Sequence, residues 1–235
     1  MTSQTDDTVV ASRAPDGADA ALGESRWWPV AALLVYLSLN IALRIWLPDG
    51  SAVRVPWLLP ALEGVLLVVL LGADPQSIAR RSLVLRRVAM TLVVLLVCAA
   101  LWSTTLLIYD LVQGIGVTEV PGELLATGGL VWLGNNLAFA MLYWLMDSGG
   151  PVARLRHRTA IDFAFTQHMS PELAPPGWRP VFLDYLHLGF TNATAFSPTD
   201  VMPLSLRAKY LMILQSTVAL VLFALIVARA VNAFT

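Results

Sequence analysis

The chain has 235 residues, of which 57% are hydrophobic and only 13% are charged, and its formal net charge at pH 7 is −1. Soluble domains usually carry about 25% charged residues, so this composition favours a protein that lies in lipid. The near-zero net charge gives no support for a nucleic-acid-binding protein, and the single cysteine, Cys98, excludes a disulfide framework.

The first 25 residues are polar, rich in acidic side chains and without an apolar core. A signal peptide requires a basic start and an apolar segment, and this stretch has neither. Low hydrophobicity combined with negative charge is typical of disordered chains. We therefore predict a disordered tail over residues 1–25, followed by a single transmembrane domain over residues 26–235.

Five apolar stretches follow, most of them close to the ~20 residues that a helix needs to cross a bilayer core. Trp27, Trp28 and Trp46 lie at the ends of the first stretch, where interfacial aromatic residues are common. The predicted spans cover residues 27–47, 57–72, 88–112, 124–146 and 210–231. The predicted fold class is an all-α membrane protein with five transmembrane helices.

Arginines are distributed unequally between the two ends of these spans. One cluster precedes the third span, a second precedes the last span, and the opposite side has Arg54 and little else. The clusters contain Arg80, Arg81, Arg86 and Arg87, and then Arg154, Arg156, Arg158 and Arg179. Because basic residues favour the cytoplasm, both clusters and the N-terminus are predicted to be cytoplasmic in a multi-pass protein of the inner (plasma) membrane.

A polar stretch, residues 191–209, separates an amphipathic run at 181–190 from the last span, and it reads TNATAFSPTDVMPLSLRAK. An apolar run, a polar break with prolines and then a spanning helix are typical of a re-entrant loop. Non-helical backbone at membrane depth is tolerated only where protein or a water-filled cavity satisfies its polar groups. We therefore predict a re-entrant, pore-like helix and loop before the last helix.

The segment NATAFSPTD with the following Val-Met-Pro resembles the pore loop of potassium-channel-type membrane proteins, whose pattern is T-x-T-T-V-G-Y-G-D-x-x-P, then a basic residue and an inner helix. Thr194, Asp200, Pro203 and Lys209 occupy the matching positions. The layout also resembles a family of small, uncharacterised bacterial integral membrane proteins. The resemblance covers about residues 130–232 and implies a homo-oligomer, a tetramer in the case of a channel, that conducts monovalent cations. The family's pore loop enters from outside, which conflicts with cytoplasmic arginine clusters. We favour a loop that enters from the cytoplasmic side; the alternatives are a sixth span that includes residues 181–190, or the family topology with both arginine clusters outside.

The sequence departs from that family where Ser197-Pro198-Thr199 replaces Gly-Tyr-Gly. Proline fixes φ near −65° and lacks an N–H, so a filter of stacked backbone carbonyls is not expected. Side-chain hydroxyls and a carboxylate would select cations by charge instead. The candidate path residues are Thr194, Ser197, Thr199, Asp200 and, from the last span, Gln215. The alternative is a helical hairpin in which Ser197 or Asp200 caps a helix and Gln215 only packs.

Charged and amide side chains inside the spans are further candidates. Arg44 and Glu63 are predicted to form an intramembrane ion pair, or else a proton or ion relay. Asp110 is predicted to be solvated at the interface, and Asn135 and Asn136 to hydrogen-bond between helices.

Catalytic chemistry finds little support in the sequence. Asp162, His168 and Glu172 share one loop, but no metal-ligand spacing such as H-E-x-x-H occurs. There is no nucleophile–base pair, phosphate loop or cofactor motif, so we expect neither an enzyme nor a cofactor. The open alternatives are a cation channel of non-standard selectivity, a non-conducting membrane scaffold or partner protein, and a small transporter.

Overall fold

A computed structural model describes residues 27–46, 58–72, 83–114, 121–155, 160–195 and 200–234. The first half forms α1 (Trp27–Trp46), α2 (Leu58–Gly72), α3 (Leu83–Gln113) and α4 (Pro121–Met146), which a 3₁₀ turn (Asp147–Gly149) follows. The second half forms α5 (Pro151–Leu155), β1 (Phe163–Phe165), α6 (Thr166–Met169), a second 3₁₀ turn (Pro171–Leu173), α7 (Phe182–Thr194), β2 (Val201–Pro203) and α8 (Leu206–Phe234). The prediction of a mostly helical chain is confirmed.

Three helices are long and apolar enough to cross a membrane: Arg86–Gln113, Pro121–Gly149 and Leu206–Val231. The first two helices contain shorter apolar stretches, Trp27–Ala42 and Pro60–Leu71. The 29 residues of Pro121–Gly149 extend over about 43 Å at ~1.5 Å per residue. This exceeds the ~30 Å of a hydrocarbon core, so the helix is long enough to cross a bilayer.

Helix α4 lies at the centre of the bundle and packs against α1, α3, α7 and α8. Its second half is almost entirely buried, including Phe139, Met141 and Tyr143. Two of its glycines accept neighbouring side chains: a Cβ on Gly128 would lie 2.5 Å from Ile226 Cδ1, and one on Gly134 would lie 1.9 Å from the Tyr36 hydroxyl oxygen. Small residues therefore allow α8 and α1 to approach α4 closely.

Helix α7 runs antiparallel to α4, along its second half. The Phe182 ring, at the start of α7, meets Trp144 with ring centroids 5.8 Å apart, and the Phe190 ring, near its end, meets Trp132 at 5.5 Å. The buried side chains of α7 include Tyr185, on the same side as Phe182. The amphipathic run at 181–190 is thus part of a helix that lies on α4.

The all-α prediction needs one correction, because β1 and β2 form a two-stranded antiparallel sheet in which Phe163 faces Pro203 and Phe165 faces Val201. Three-residue strands almost forty positions apart leave no readable period in the sequence. The predicted polar break is also shorter than expected: residues 191–194 belong to α7, residues 201–203 to β2 and residues 206–209 to α8. The predicted tail, residues 1–25, lies outside the described residues.

Candidate functional site

Of the predicted path residues, Thr194 is exposed on α7, and Asp200 lies after this helix, beside its exposed His187. The hydroxyl of Thr194, in the last turn, donates to the Phe190 carbonyl oxygen at 2.9 Å, a common contact for threonine within a helix. The carboxylate of Asp200 is half-buried and lies 3.6 Å from Nδ1 of the exposed His187. Ser197 and Thr199 lie outside the described residues.

The third path residue in the described part of the chain, Gln215, is buried in the bundle. Its Oε1 accepts hydrogen bonds from the Tyr143 hydroxyl at 2.8 Å and from Asn192 Nδ2 at 2.9 Å. Its Nε2 donates to the Gly189 carbonyl oxygen at 3.0 Å and to Asn136 Oδ1 at 3.4 Å. Both ends of the amide therefore bind α4 and α7, and α8 is joined to both helices.

The fit of this amide cluster depends on Gly189. A Cβ at this position would lie 3.2 Å from the Asn136 carbonyl oxygen and 3.5 Å from Gln215 Nε2. Asn192 also donates to the Met212 carbonyl oxygen at 3.0 Å, which adds a second link between α7 and α8. Amides that hydrogen-bond one another across three helices are a frequent means of association in membrane bundles.

A second buried polar cluster lies where α4 ends, and its first member is Asp147. This fully buried side chain accepts a hydrogen bond from the Tyr185 hydroxyl at 2.5 Å. Its other oxygen accepts from the Asp162 backbone N–H at 2.7 Å and from the Ser148 hydroxyl at 3.2 Å. Asp147 thus connects the end of α4 to α7 and to the residue before β1.

Asp162 is the second carboxylate of this cluster, and Arg207 in the first turn of α8 binds it through both of its oxygens. Arg207 Nε donates to one oxygen at 2.7 Å and Nη2 donates to the other at 2.5 Å. Burial by itself raises the pKa of Asp162, but the hydrogen bonds and the positive charge of Arg207 outweigh burial and hold this pKa below its usual range. The carboxylate is therefore charged at neutral pH.

Arg154 from α5 completes the arrangement. Its Nη1 donates to the carbonyl oxygens of Trp144 at 2.8 Å and Asp147 at 3.1 Å, and its guanidinium lies 5.0 Å from the centre of the Tyr185 ring. These contacts stabilise the C-terminal end of α4, where backbone carbonyls lack helical partners. We refer to Asp147, Arg154, Asp162, Tyr185 and Arg207 together as the helix-end cluster.

The helix-end cluster as a unit is not predicted from the sequence. The sequence places Arg154 in a basic cluster and makes Asp162 a possible metal ligand. It gives no separate role to the other three members. One signal was available, because Asp147 directly follows an apolar span and Arg207 directly precedes one. The pairing itself joins residues 45 positions apart.

The predicted intramembrane pair is described only in part. Glu63 is fully buried and accepts hydrogen bonds from Asn40 Nδ2 at 3.1 and 3.4 Å. The side chain of Arg44 lies outside the described residues. The glutamate thus links α2 to α1 on the inner side of the bundle.

The predictions for Asp110 and Asn135 have opposite outcomes. Asp110 was expected to be solvated but is buried, and its Oδ2 has no hydrogen-bond partner within the described residues. Asn135 does bind a neighbouring helix, because its Nδ2 donates to Thr104 Oγ1 on α3 at 2.5 Å.

The three residues considered for a metal have separate environments. Asp162 binds Arg207, His168 Nδ1 accepts from the Phe165 backbone N–H at 3.2 Å, and Glu172 is exposed. No group of three potential ligands occurs in the part of the chain that the structure describes. Burial lowers the pKa of His168, while the nearby charge of Asp147 acts in the opposite direction.

Comparison of the chain with models of protein families, with curated proteins and with solved structures finds no match to any of the three.

Proposed function

We propose that the protein is a multi-pass membrane protein with five spans and a re-entrant hairpin, and that this hairpin is a non-conducting structural module. In this proposal, helices α4, α7 and α8 are held together by the polar contacts among them. Its function is to hold a stable helical surface in the membrane for lipid and for partner membrane proteins.

The path of the chain from α4 to α8 supports the re-entrant part of the proposal. The 13 residues of α7 extend over about 20 Å, less than the ~30 Å of a hydrocarbon core. Helix α7 starts beside the end of α4, and the ion pair between Asp162 and Arg207 brings the start of α8 to the same end. A helix that enters from one face and a chain that returns to that face are what a re-entrant hairpin requires.

The placement of α1 and α2 as two additional spans is supported by their polar contacts. Asn40 and Glu63 bind each other and are buried, and the Tyr36 hydroxyl lies against Gly134 of α4. Polar side chains in membrane helices face the bundle interior, because their exposure to lipid is costly. The 15-residue α2 is short for a span, and local thinning of the bilayer can accommodate such a helix.

The observation that carries the non-conducting assignment is the environment of Gln215. A path-lining amide would leave donors and acceptors for water or ions, whereas both ends of this amide are occupied by α4 and α7. Removing it would leave the buried Tyr143 hydroxyl and the Asn192 amide with fewer partners.

The test combines stability with ion flux. Gln215→Ala should lower the free energy of unfolding by about 1–3 kcal/mol, because buried polar partners lose their hydrogen bonds. Thr217→Ala is the matched control, since Thr217 is exposed on the same helix and should change this free energy by less than about 0.5 kcal/mol. Purified protein in liposomes should conduct no cations; a cation flux that depends on protein would refute the non-conducting assignment.

A second candidate, a cation path between subunits of a homo-oligomer, is favoured by the position of Asp200. Its carboxylate and the imidazole of His187 lie outside the buried amide cluster and remain accessible from the outer side of α7. A neighbouring subunit would have to complete such a path, in which repeated carboxylates concentrate cations. If the liposomes conduct, Asp200→Asn should reduce flux or cation preference while the oligomer persists. Unchanged flux would exclude this residue from the path.

A further inference from the structure

The segment from β2 to the first residue of α8 exposes three large apolar side chains. Met202 is 56% exposed, Leu204 51% and Leu206 71%, while Val201 beside them is only 4% exposed. Successive side chains of an extended strand point to opposite sides, so Met202 and Leu204 share the side away from the core. Leu206 follows as the first residue of α8.

This apolar row continues along the outer face of α8. Leu206, Tyr210 and Ile213 are separated by four and three positions, which places them on one side of a helix, and all three are exposed. Ile213 lies well inside the stretch Leu206–Val231, which is long and apolar enough to span a membrane. The apolar row thus runs from the sheet to the long apolar part of α8, with the exposed Arg207 and Lys209 beside it.

The sheet also packs against α4, near the end of that helix. The Phe163 ring of β1 packs on Tyr143 with ring centroids 5.1 Å apart. Tyr143 belongs to the membrane-length helix Pro121–Gly149 and lies one turn before the buried Asp147. The sheet thus packs beside the last turns of a spanning helix rather than beyond its end.

We propose that Met202, Leu204 and Leu206 form a lipid-contact edge that lies in the interfacial layer of the bilayer. This inference rests on the transmembrane placement of α8 and is independent of whether the protein conducts. Apolar side chains at this depth are covered by the acyl-chain boundary, as in amphipathic interfacial segments. Lys209, exposed in the first turn of α8 and without an ion pair among the described residues, has the position of a basic residue that binds lipid phosphate.

The experiment measures which solvent surrounds individual positions of the edge. Cys98, the single native cysteine, is replaced by serine, and a spin label is attached to Met202→Cys or Leu204→Cys in lipid nanodiscs. Two controls define the extremes: Ile213→Cys for the acyl region and Glu172→Cys for an exposed polar turn. Collision rates are measured with oxygen, which concentrates in lipid, and with a nickel chelate, which stays in water.

Labels at Met202 and Leu204 should collide more with oxygen than with the nickel chelate, as the label at Ile213 does, and the label at Glu172 should show the reverse order. A preference for nickel at both edge positions would place the edge in water and overturn the inference. Low collision with both reagents would mean that protein, such as a second copy of this chain, covers the edge, which also overturns it. A preference for nickel at Ile213 would instead refute the membrane placement of α8.

Discussion

The ion pair between Asp162 and Arg207 allows a direct test of the helix-end cluster. Arg207→Met removes the guanidinium but retains an unbranched apolar side chain, and it leaves the buried carboxylate of Asp162 without its two strongest donors. Breaking a fully buried pair costs about 3–5 kcal/mol. Because most of the Arg207 side chain is exposed to solvent, screening lowers this cost, and we expect a loss of about 2 kcal/mol in the free energy of unfolding.

The assay is reversible unfolding by SDS titration in mixed micelles, followed by circular dichroism. Lys209→Met is the matched control, because Lys209 lies in the same turn and makes no ion pair within the described part of the chain; it should change the free energy by less than about 0.5 kcal/mol. Arg207→Lys should recover only part of the loss, since lysine keeps the charge but not the paired donors. Equal effects of Arg207→Met and Lys209→Met would refute the reasoning.

The stability difference between wild type and Arg207→Met should depend on pH in a defined direction. The pKa of Asp162 is held below its usual range in the folded protein. The ion pair therefore contributes stability above the pKa of an unfolded aspartate, about 3.9, and this contribution is lost as the pH falls through the folded-state pKa. The difference between wild type and Arg207→Met should be complete at pH 7 and shrink below about pH 4. A difference that grows on acidification would contradict the proposed role of the carboxylate.

Two further substitutions test packing at other points of the bundle. Tyr185→Phe removes the hydrogen bond from the Tyr185 hydroxyl to Asp147 and should cost about 1–2 kcal/mol of unfolding free energy, whereas Tyr210→Phe, at an exposed position, should cost almost nothing; equal losses would contradict the prediction. Gly134→Ala should destabilise the protein by about 1–3 kcal/mol, because its Cβ would overlap the Tyr36 hydroxyl, while Gly129→Ala meets no atom within 4 Å and should be neutral or stabilising. A neutral Gly134→Ala would show that α1 does not pack there.

Most helices could be predicted from the sequence because their apolar stretches are long. The stretches predicted at 27–47 and 124–146 correspond to Trp27–Trp46 and Pro121–Met146, and the ends differ by a few residues. The ends of a helix are harder to predict, because polar residues can continue the helix beyond its apolar part. Helix α8 starts at Leu206 rather than at 210, because Arg207 and Lys209 continue its first turn.

The candidate site was less accessible to prediction. Asn135 was correctly expected to bind another helix, but the partners of Gln215 were unknown, so the same residue was compatible with a path lining and with packing. Its burial depends on Gly189, which lets α7 approach α4. A residue pattern records polarity at each position, and it does not record which neighbour satisfies a polar group.

Composition and the length of the apolar stretches by themselves determined that this chain is helical and suited to lipid, because spanning length and low charge are properties of single segments. The pairing of β1 with β2, the closed amide cluster around Gln215 and the ion pair between Asp162 and Arg207 were decided only by the tertiary structure. Each of these joins residues more than twenty positions apart, and the geometry that makes one partner more favourable than another exists only after α4, α7 and α8 have packed together.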